Sequence, residues 1–544
     1  LGRSGAPFAT ASFRSSPEPG GLHMTRHASR PAEPRRRDTA IDTNGGAKQS
    51  MDQSNAPILD ALAAVERGNI AGFGGPGHDE GRAASADVVA LLVKQAFQAD
   101  VLTPKGLDDR TESFGVMQQA YRLAAEAWGA DLCRFSTGGS TQSIQTAIAA
   151  VAGPGDTVLI AGNAHKAAFS TAVFAGVNLV TIPPVIDRER DVEHGTDPET
   201  LARLLDAHPA AKAALVISPT FFGVTSDIPA LAEICHARGV PLIVDAAWGA
   251  AYPFCDRLPE NPLRQGADAM VVSVHKTMGA LAQGSFMLVT GDLIDRERFV
   301  WAFEMLQCTS PSVPILASLD ATRRAHVADG QHLWGRVIDL AASVRDRLSD
   351  LTDVAVYGRE MIGGPGAHDL DPTFLILDVR KLGLSGYEAD EWLQAERRVS
   401  AVLGDLRHIG FSFSLGTTEQ DANRLVQGIR DLLVAAKDGD DRFHRVPDDA
   451  PGYASLQPAM ASAPALPPPR AAAAKFDRVP YAHAAGRIAG QSVAIVPPAI
   501  PRLLPGQAIT PAHVAFLQAN LEAGAFILDP DEHGDGLIRV VREA

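Results

Sequence analysis

Between residues 157 and 274 five short, almost uniformly apolar runs recur: TVLIA (157–161), VNLVTI (177–182), AALVIS (213–218), VPLIVD (240–245) and AMVVSV (269–274). Stretches with helical apolar spacing lie around and between them, at 142–152, 167–175, 197–207 and 228–238. A strand with one wet face alternates apolar and polar residues. A strand buried on both faces, as in a parallel sheet, reads as a continuous apolar run. The alternation therefore predicts an α/β domain with a mostly parallel sheet.

The rest of the chain is organised around that unit. Helical spacing fills 85–130, most clearly at 115–128, and a long helical region covers 314–351. A second α/β stretch spans 354–437, with strands expected at 355–357 and 373–377. The Pro- and Ala-rich residues 445–475, which include LPPPR, read as a linker. A chain of 544 residues exceeds what one core usually holds. The expected division is an extension (1–55), a large domain (56–310), a small α/β domain (311–444), the linker, and a C-terminal domain (476–544). There is no internal repeat.

Bulk properties exclude some functions. The net charge of −15 disfavours nucleic-acid binding, which needs a basic face. Apolar runs such as VVALLV (88–93) are far shorter than the roughly 20 residues that cross a bilayer. Residues 1–37 are rich in Arg, Ser, Pro and Gly and have no apolar core of a secretory signal. Such a start suits a transit peptide or a disordered extension, and the lack of a sustained amphipathic period favours reading 1–55 as the disordered extension. Cys133, Cys235, Cys255 and Cys308 form no CxxC pair and no spacing with histidine that suits a metal. They read as reduced thiols in a cytoplasmic protein, with no metal site expected.

Polar residues gather at the strand ends, where ligands bind in open α/β sheets. Asp245 ends the fourth run, Ser273 lies at the end of the fifth with His275 and Lys276 just after it, and His165 follows the first. A glycine-rich turn, STGGSTQ (136–142), opens a helix. Each part alone has an ordinary explanation. A loop lysine is normally a solvated charge, Ser and Thr cap helices anyway, and an Asp after a strand commonly shapes a turn. Their joint order carries more. A helix N-terminus with hydroxyls suits a phosphate. A lysine amine forms a Schiff base with an aldehyde. A carboxylate against a pyridine nitrogen keeps that ring an electron sink.

The chain resembles the bacterial Orn/Lys/Arg decarboxylases of the pyridoxal-phosphate (PLP) fold-type I group, nearest the short arginine decarboxylase branch without a wing domain. The likeness runs from about Gly74 to the C-terminus. It is carried by GGPGHDEG (74–81), LDDRTESFGVMQQAYRLAAEAWGAD (107–131), SPTFFGVTSDIPALAEICHARGVPLIVDAAWGA (218–250), SVHKTMGALAQGS (273–285), CTSPSVPILASLDATRR (308–324), AAGRIAGQSV (484–493) and PPAIPRLLPGQ (497–507). The last two argue against generic aminotransferases, which lack that C-terminal domain.

The resemblance implies a fold-type I large domain, a small α/β domain, a C-terminal decarboxylase domain and pyridoxal 5′-phosphate as cofactor. Lys276 would carry the cofactor and Asp245 would pair with its ring nitrogen. His165 would stack on one ring face and Ala247 on the other, with Trp248 beside them. Ser140, Thr141, Gln142 and Ser273 would hold the phosphate, and His275 would be a proton donor. Thr309 and Ser310 would approach a neighbouring subunit's site, implying a homodimer or larger homo-oligomer with shared sites. The activity implied is decarboxylation of arginine, lysine, ornithine or a related amino acid. An aminotransferase or lyase reaction and a non-catalytic regulator are the alternatives.

The chain also departs from that pattern. Trp248 stands where the branch usually has His, Val402 where it has Glu, Asp79 where it has Lys, Ala499 where it has Gly, and Gln507 where it has Glu. The loss of an acid at 402 bears on whether the substrate is dibasic.

Overall fold

The computed structural model describes residues 50–64, 76–102, 115–440, 442–444, 446–460, 462–497, 499–528 and 536–542. The expected extension up to residue 49 and the stretch 107–114 lie outside the described residues.

Strands of the first half are β1 (Leu132–Ser136), β2 (Thr157–Ala161), β3 (Asn178–Ile182), β4 (Ile186–Asp187), β5 (Val192–Glu193), β6 (Ala211–Ile217), β7 (Val224–Thr225), β8 (Leu242–Asp245), β9 (Ala269–Val272) and β10 (Ser285–Val289). Seven of them form one sheet in the order β1-β10-β9-β8-β6-β2-β3. The five strands from β9 to β3 are parallel, and β10 runs antiparallel to both of its neighbours. Every residue of β8, β9 and β10 is buried, which explains their unbroken apolar sequence. Successive side chains still alternate. Leu242, Val244, Met270 and Val272 join the core on one face. Ile243, Ala269 and Val271 join the core on the other.

The helices of this half are α1 (Pro57–Ala64), α2 (Ala86–Ala99), α3 (Val116–Trp128), α4 (Gly139–Val151), α5 (Lys166–Ala175), α6 (Pro198–Ala207), α7 (Ile228–His236), α8 (Val274–Thr277), α9 (Arg296–Leu306) and α10 (Val313–Leu348). Their ends carry ordinary stop and start signals. Asp197 and Asp227 cap α6 and α7 by accepting N–H bonds three residues on, and α5 stops at the left-handed Gly176. The long α10 bends at Asp329, beside Gly330, where an added Cβ would lie 2.6 Å from Phe254. A side chain there would collide with the loop that follows β8.

Two predicted boundaries need correction. The fifth run stops as a strand at Val272, because the chain turns at Ser273, whose hydroxyl meets that of Ser140, into the short helix that carries Lys276. Residues 445–475 are not a free spacer. They contain helices Tyr453–Met460 and Pro468–Ala473, and Tyr453, Leu456 and Met460 are buried. The Pro and Ala content that suggested a linker is satisfied by packing against the hairpin β4–β5 and the C-terminal sheet.

The small α/β unit is a four-stranded antiparallel sheet in the order 355–357, 374–378, 408–412, 403–404. Helices Gly386–Arg397 and Glu419–Asp438 pack with it. Strand Asp369–Leu370 pairs with β7, so the small unit is stitched to the large one. The C-terminal part holds a three-stranded sheet of Val493–Val496, Ile500–Leu503 and Phe526–Leu528 with helix Pro511–Glu522.

Candidate active site

The parallel strands end on one side of the sheet, and a cavity of about 340 Å³ opens there. Its polar lining includes Ser140, Thr141, His165, Asp245, Ser273, His275 and Lys276, with Ala247 and Trp248 beside them. Nine of the ten expected site residues therefore meet at one place. The tenth, Gln142, does not line the cavity. Its Oε1 accepts from the Ser136 hydroxyl (2.8 Å) and the Gly138 amide (3.1 Å), so it braces the glycine turn from behind.

Local chemistry explains the shape of the cradle. The turn Gly138–Gly139 starts α4, and Gly139 has φ +69°, in the left-handed region that glycine adopts without strain. The Ser140 hydroxyl lies 2.6 Å from that of Ser273 and 3.1 Å from that of Ser285, which is 2.9 Å from Ser143. Hydroxyls at a helix N-terminus make a site for a phosphate.

Asp245, on the wall of the same cavity, is 4% exposed and forms no ion pair closer than 4 Å among the described residues. Burial raises its pKa, while Lys276 and the Ala247 amide pull it down. For Lys276, burial lowers the pKa and Asp245 raises it. A buried carboxylate and a buried amine whose charge is disfavoured line one cavity and lack the compact ion pair that would satisfy them. A cationic ring nitrogen against Asp245 and an aldehyde carbon at Lys276 supply what is missing. The residues fit pyridoxal phosphate.

The two histidines hold opposite tautomers. His165 caps α5, and its Nδ1 accepts from the Ala167 amide at 3.2 Å, so the neutral ring carries its proton on Nε2. Burial, then the charges of Lys276 and Lys166, lower its pKa to about 4. His275 places Nδ1 2.9 Å from the Gly284 carbonyl, so Nδ1 donates and Nε2 keeps the lone pair. Its pKa is lowered, chiefly by burial.

The remaining wall is aromatic. Lys276 Nζ lies 4.4 Å from the Trp248 ring centre and 5.8 Å from that of Phe221. Trp248 in turn meets Phe221 edge-on at 6.0 Å and Phe374, from the small unit, at 5.6 Å. Tyr252 donates to Asp371 at 3.0 Å and ties the same loop to that unit. Phe221, Gln283 and Ser285 escaped the sequence reading. The Gly-Ser pair at 284–285 was its only available signal, since Phe221 reaches the cavity through tertiary packing.

Of the departures, Trp248 lines the cavity and the other four lie elsewhere. Val402 packs with the core cluster around Phe222 and Tyr453 and does not line the cavity. Asp79 pairs with Arg82. Gln507 is buried and accepts from the Leu504 amide. Ala499 holds φ +63°. Among the described residues no cluster of three His, Cys, Asp or Glu side chains could hold a metal ion, and no helix is long and apolar enough to cross a membrane.

Comparison with known proteins adds the following. Residues 56–421 match the family model described as Orn/Lys/Arg decarboxylase, major domain, and residues 451–526 match its C-terminal domain. The chain is 34% identical over 491 residues to an arginine decarboxylase of Halalkalibacterium halodurans, covering 90% of this chain and 98% of that protein. It is 34% identical over 493 residues to an arginine decarboxylase of Bacillus subtilis, covering 91% and 99%. Among solved structures, the Francisella novicida lysine decarboxylase LdcF aligns with a TM-score of 0.73 at 20% identity, covering 90% of this chain and 81% of that one. The constitutive lysine decarboxylase of E. coli aligns at 0.72 and 20% identity, covering 90% and 82%.

Proposed function

The chain belongs to the Orn/Lys/Arg decarboxylase family, and from that premise we propose that it is an arginine decarboxylase whose catalytic lysine is Lys276. That it is a pyridoxal-phosphate-dependent amino-acid decarboxylase follows from membership. The choice of arginine rests on the relatives' names, with lysine and ornithine as the neighbouring substrates. The observation that carries the assignment of roles is Asp245 and Lys276 lining one cavity with His165.

When bound, pyridoxal phosphate supplies a conjugated ring that takes up the electron pair released as the Cα–carboxylate bond breaks. The protein's part is to hold and to orient. Ser140, Thr141, Ser273 and the α4 N-terminus hold the phosphate, while Gln142 keeps their turn in shape. Asp245 keeps the ring nitrogen positive. His165 and Ala247 would flank the ring, and Lys276 Nζ would be the amine that anchors the aldehyde. Trp248 and Phe221, beside Lys276 Nζ, would orient the substrate so that its carboxylate is the substituent of Cα presented for release. This choice separates decarboxylation from transamination. The proton returned to Cα comes from Lys276 Nζ or from His275 Nε2. The second route requires His275 to be protonated first, because its neutral form has no proton on that nitrogen.

The same reading expects a homodimer with shared sites. Thr309 and Ser310 lie in an exposed segment between α9 and α10, and Leu281, Met305 and Leu306 expose apolar side chains around it. Helix α2 has no buried residue and exposes Val88, Leu91 and Leu92. A cytoplasmic setting suits four cysteines that are all free thiols. The proposed domains are 56–310, 311–444 and 476–544, joined by the helical segment 445–475.

The test is a panel of amino acids incubated with the PLP-loaded protein. Arginine should release CO₂ and leave agmatine. Amine from lysine or ornithine alone would move the substrate, and keto acid without CO₂ would overturn the reaction.

A further inference from the structure

The turn that carries His165 is held from two sides by backbone oxygens. The Asn163 side-chain amide donates to the His194 carbonyl at 3.0 Å, and the Lys166 amide donates to the Ala499 carbonyl at 3.1 Å. Asn163 is 4% exposed, so its bond is shielded from water. One oxygen belongs to the segment just after β5 and the other to the C-terminal part of the chain. The residues beside these two oxygens are bound to each other. Glu193 precedes His194, and Arg502 lies three residues beyond Ala499. They form a two-pronged ion pair at 2.6 and 2.9 Å, with both side chains 3% exposed. The Arg502 guanidinium also lies 4.7 Å from the Tyr453 ring centre. Nearby, Leu504 joins the core cluster that includes Ala164, Ala167 and Ala168.

We propose that Glu193 and Arg502 are positioning residues, which lock the C-terminal domain to the hairpin β4–β5 and so close a clamp on the turn bearing His165. The inference rests on His165 facing the cofactor ring. It gives the C-terminal domain a role in the active site, although none of its residues lines the cavity. A planar guanidinium on a carboxylate fixes both distance and angle. A lysine keeps the charge and loses that fixity. Arg502→Lys should therefore loosen the turn while leaving Asp245, Lys276 and the phosphate cradle in place.

The experiment compares wild type, Arg502→Lys, His165→Ala and Arg323→Lys as PLP-loaded enzymes. Arg323 pairs with Asp320 on α10, is equally buried, and bonds to residues 53 and 55 instead of the His165 turn. It reports a merely structural loss. The readouts are the PLP dissociation constant by spectral titration, the visible circular dichroism of bound PLP, hydrogen exchange of the peptide containing Lys166, and kcat against KM. Arg502→Lys should weaken PLP binding about tenfold, the scale seen when a group supporting a site residue is lost. It should also lower kcat with little change in KM, change the dichroism in the same direction as His165→Ala, and speed exchange at Lys166. Arg323→Lys should lower thermal stability and leave the dichroism as in wild type. If His165→Ala has a large effect and Arg502→Lys behaves like Arg323→Lys, the clamp is overturned and the reading of His165 stands. If His165→Ala itself changes neither the dichroism nor the PLP affinity, that reading falls and the clamp with it. Should Arg502→Lys fail to fold, Glu193→Gln keeps the shape of the pair without its charge and is held to the same outcomes.

Discussion

The floor of the cavity and its sides are built differently. The floor comes from the ends of β8 and β9, the helix α8 and the start of α4, all within the large domain. The sides depend on contacts between distant segments. Trp248 rests on Phe374 of the small unit, and the His165 turn rests on Ala499 of the C-terminal part. The residues proposed to take part in bond changes sit on the floor, where a continuous sheet fixes them. Those proposed to select and orient sit where segments distant in sequence meet. Changes to the floor should remove chemistry, and changes to the sides should alter selectivity, spectrum or stability.

The largest effect belongs to the floor. Lys276→Ala should lower kcat by about 10³-fold or more and remove the visible absorbance of the loaded protein, with folding intact by circular dichroism. Residual turnover within tenfold of wild type would erase the distinction between floor and sides. Next comes the aromatic side. Trp248→Ala should shift the ratio of kcat/KM between arginine and lysine by about tenfold or more, the scale on which pockets discriminate by fit. Assays on both substrates decide this, and an equal loss on both would place Trp248 with the floor.

A smaller effect is expected at His165. Its pKa of about 4 keeps it neutral throughout the working range, and it becomes charged only below that value. His165→Gln should therefore reduce kcat by roughly three- to tenfold, the size of an aromatic stacking contribution. It should leave every limb of the pH–rate profile between pH 5 and 8 unmoved. A limb that disappears in this variant would show that His165 titrates in turnover. The smallest effect is at Ala499, held at φ +63° in a region that costs a side chain energy. Ala499→Gly should raise thermal stability by about 0.5–1 kcal/mol, and a destabilised variant would mean the methyl group has a packing role that outweighs the strain.

The same contrast explains what could be read from the sequence. Strands β2, β3, β6, β8 and β9 were visible because burial on both faces leaves an unbroken apolar run. Strand β1 was not, since Arg134 interrupts LCRFS. Strand β10 (Ser285–Val289) was not predicted either, because it pairs antiparallel with both neighbours and stands outside the strand–helix alternation that marked the others. Asp245 and Lys276 were legible as strand-end residues, and the family resemblance gave them roles. Gln142 was expected at the phosphate; its carbonyl oxygen accepts from Ser136 and Gly138, while its buried Nε2 has no partner among the described residues. Phe221, Phe374 and the Ala499 carbonyl belong to the sides, and nothing local announces contacts made across separations of 27 residues for Phe221–Trp248 up to 333 for Lys166–Ala499. The helices within 445–475 were hidden for the same reason, since their Pro and Ala content packs only in context.

The account depends most on which amine carries the cofactor. Borohydride reduction of the loaded protein fixes the cofactor to that amine, and peptide mass mapping then locates it. The pyridoxyl group is predicted on the peptide containing Lys276. Finding it on Lys166, the other lysine beside His165, or finding no labelled lysine, would contradict the account.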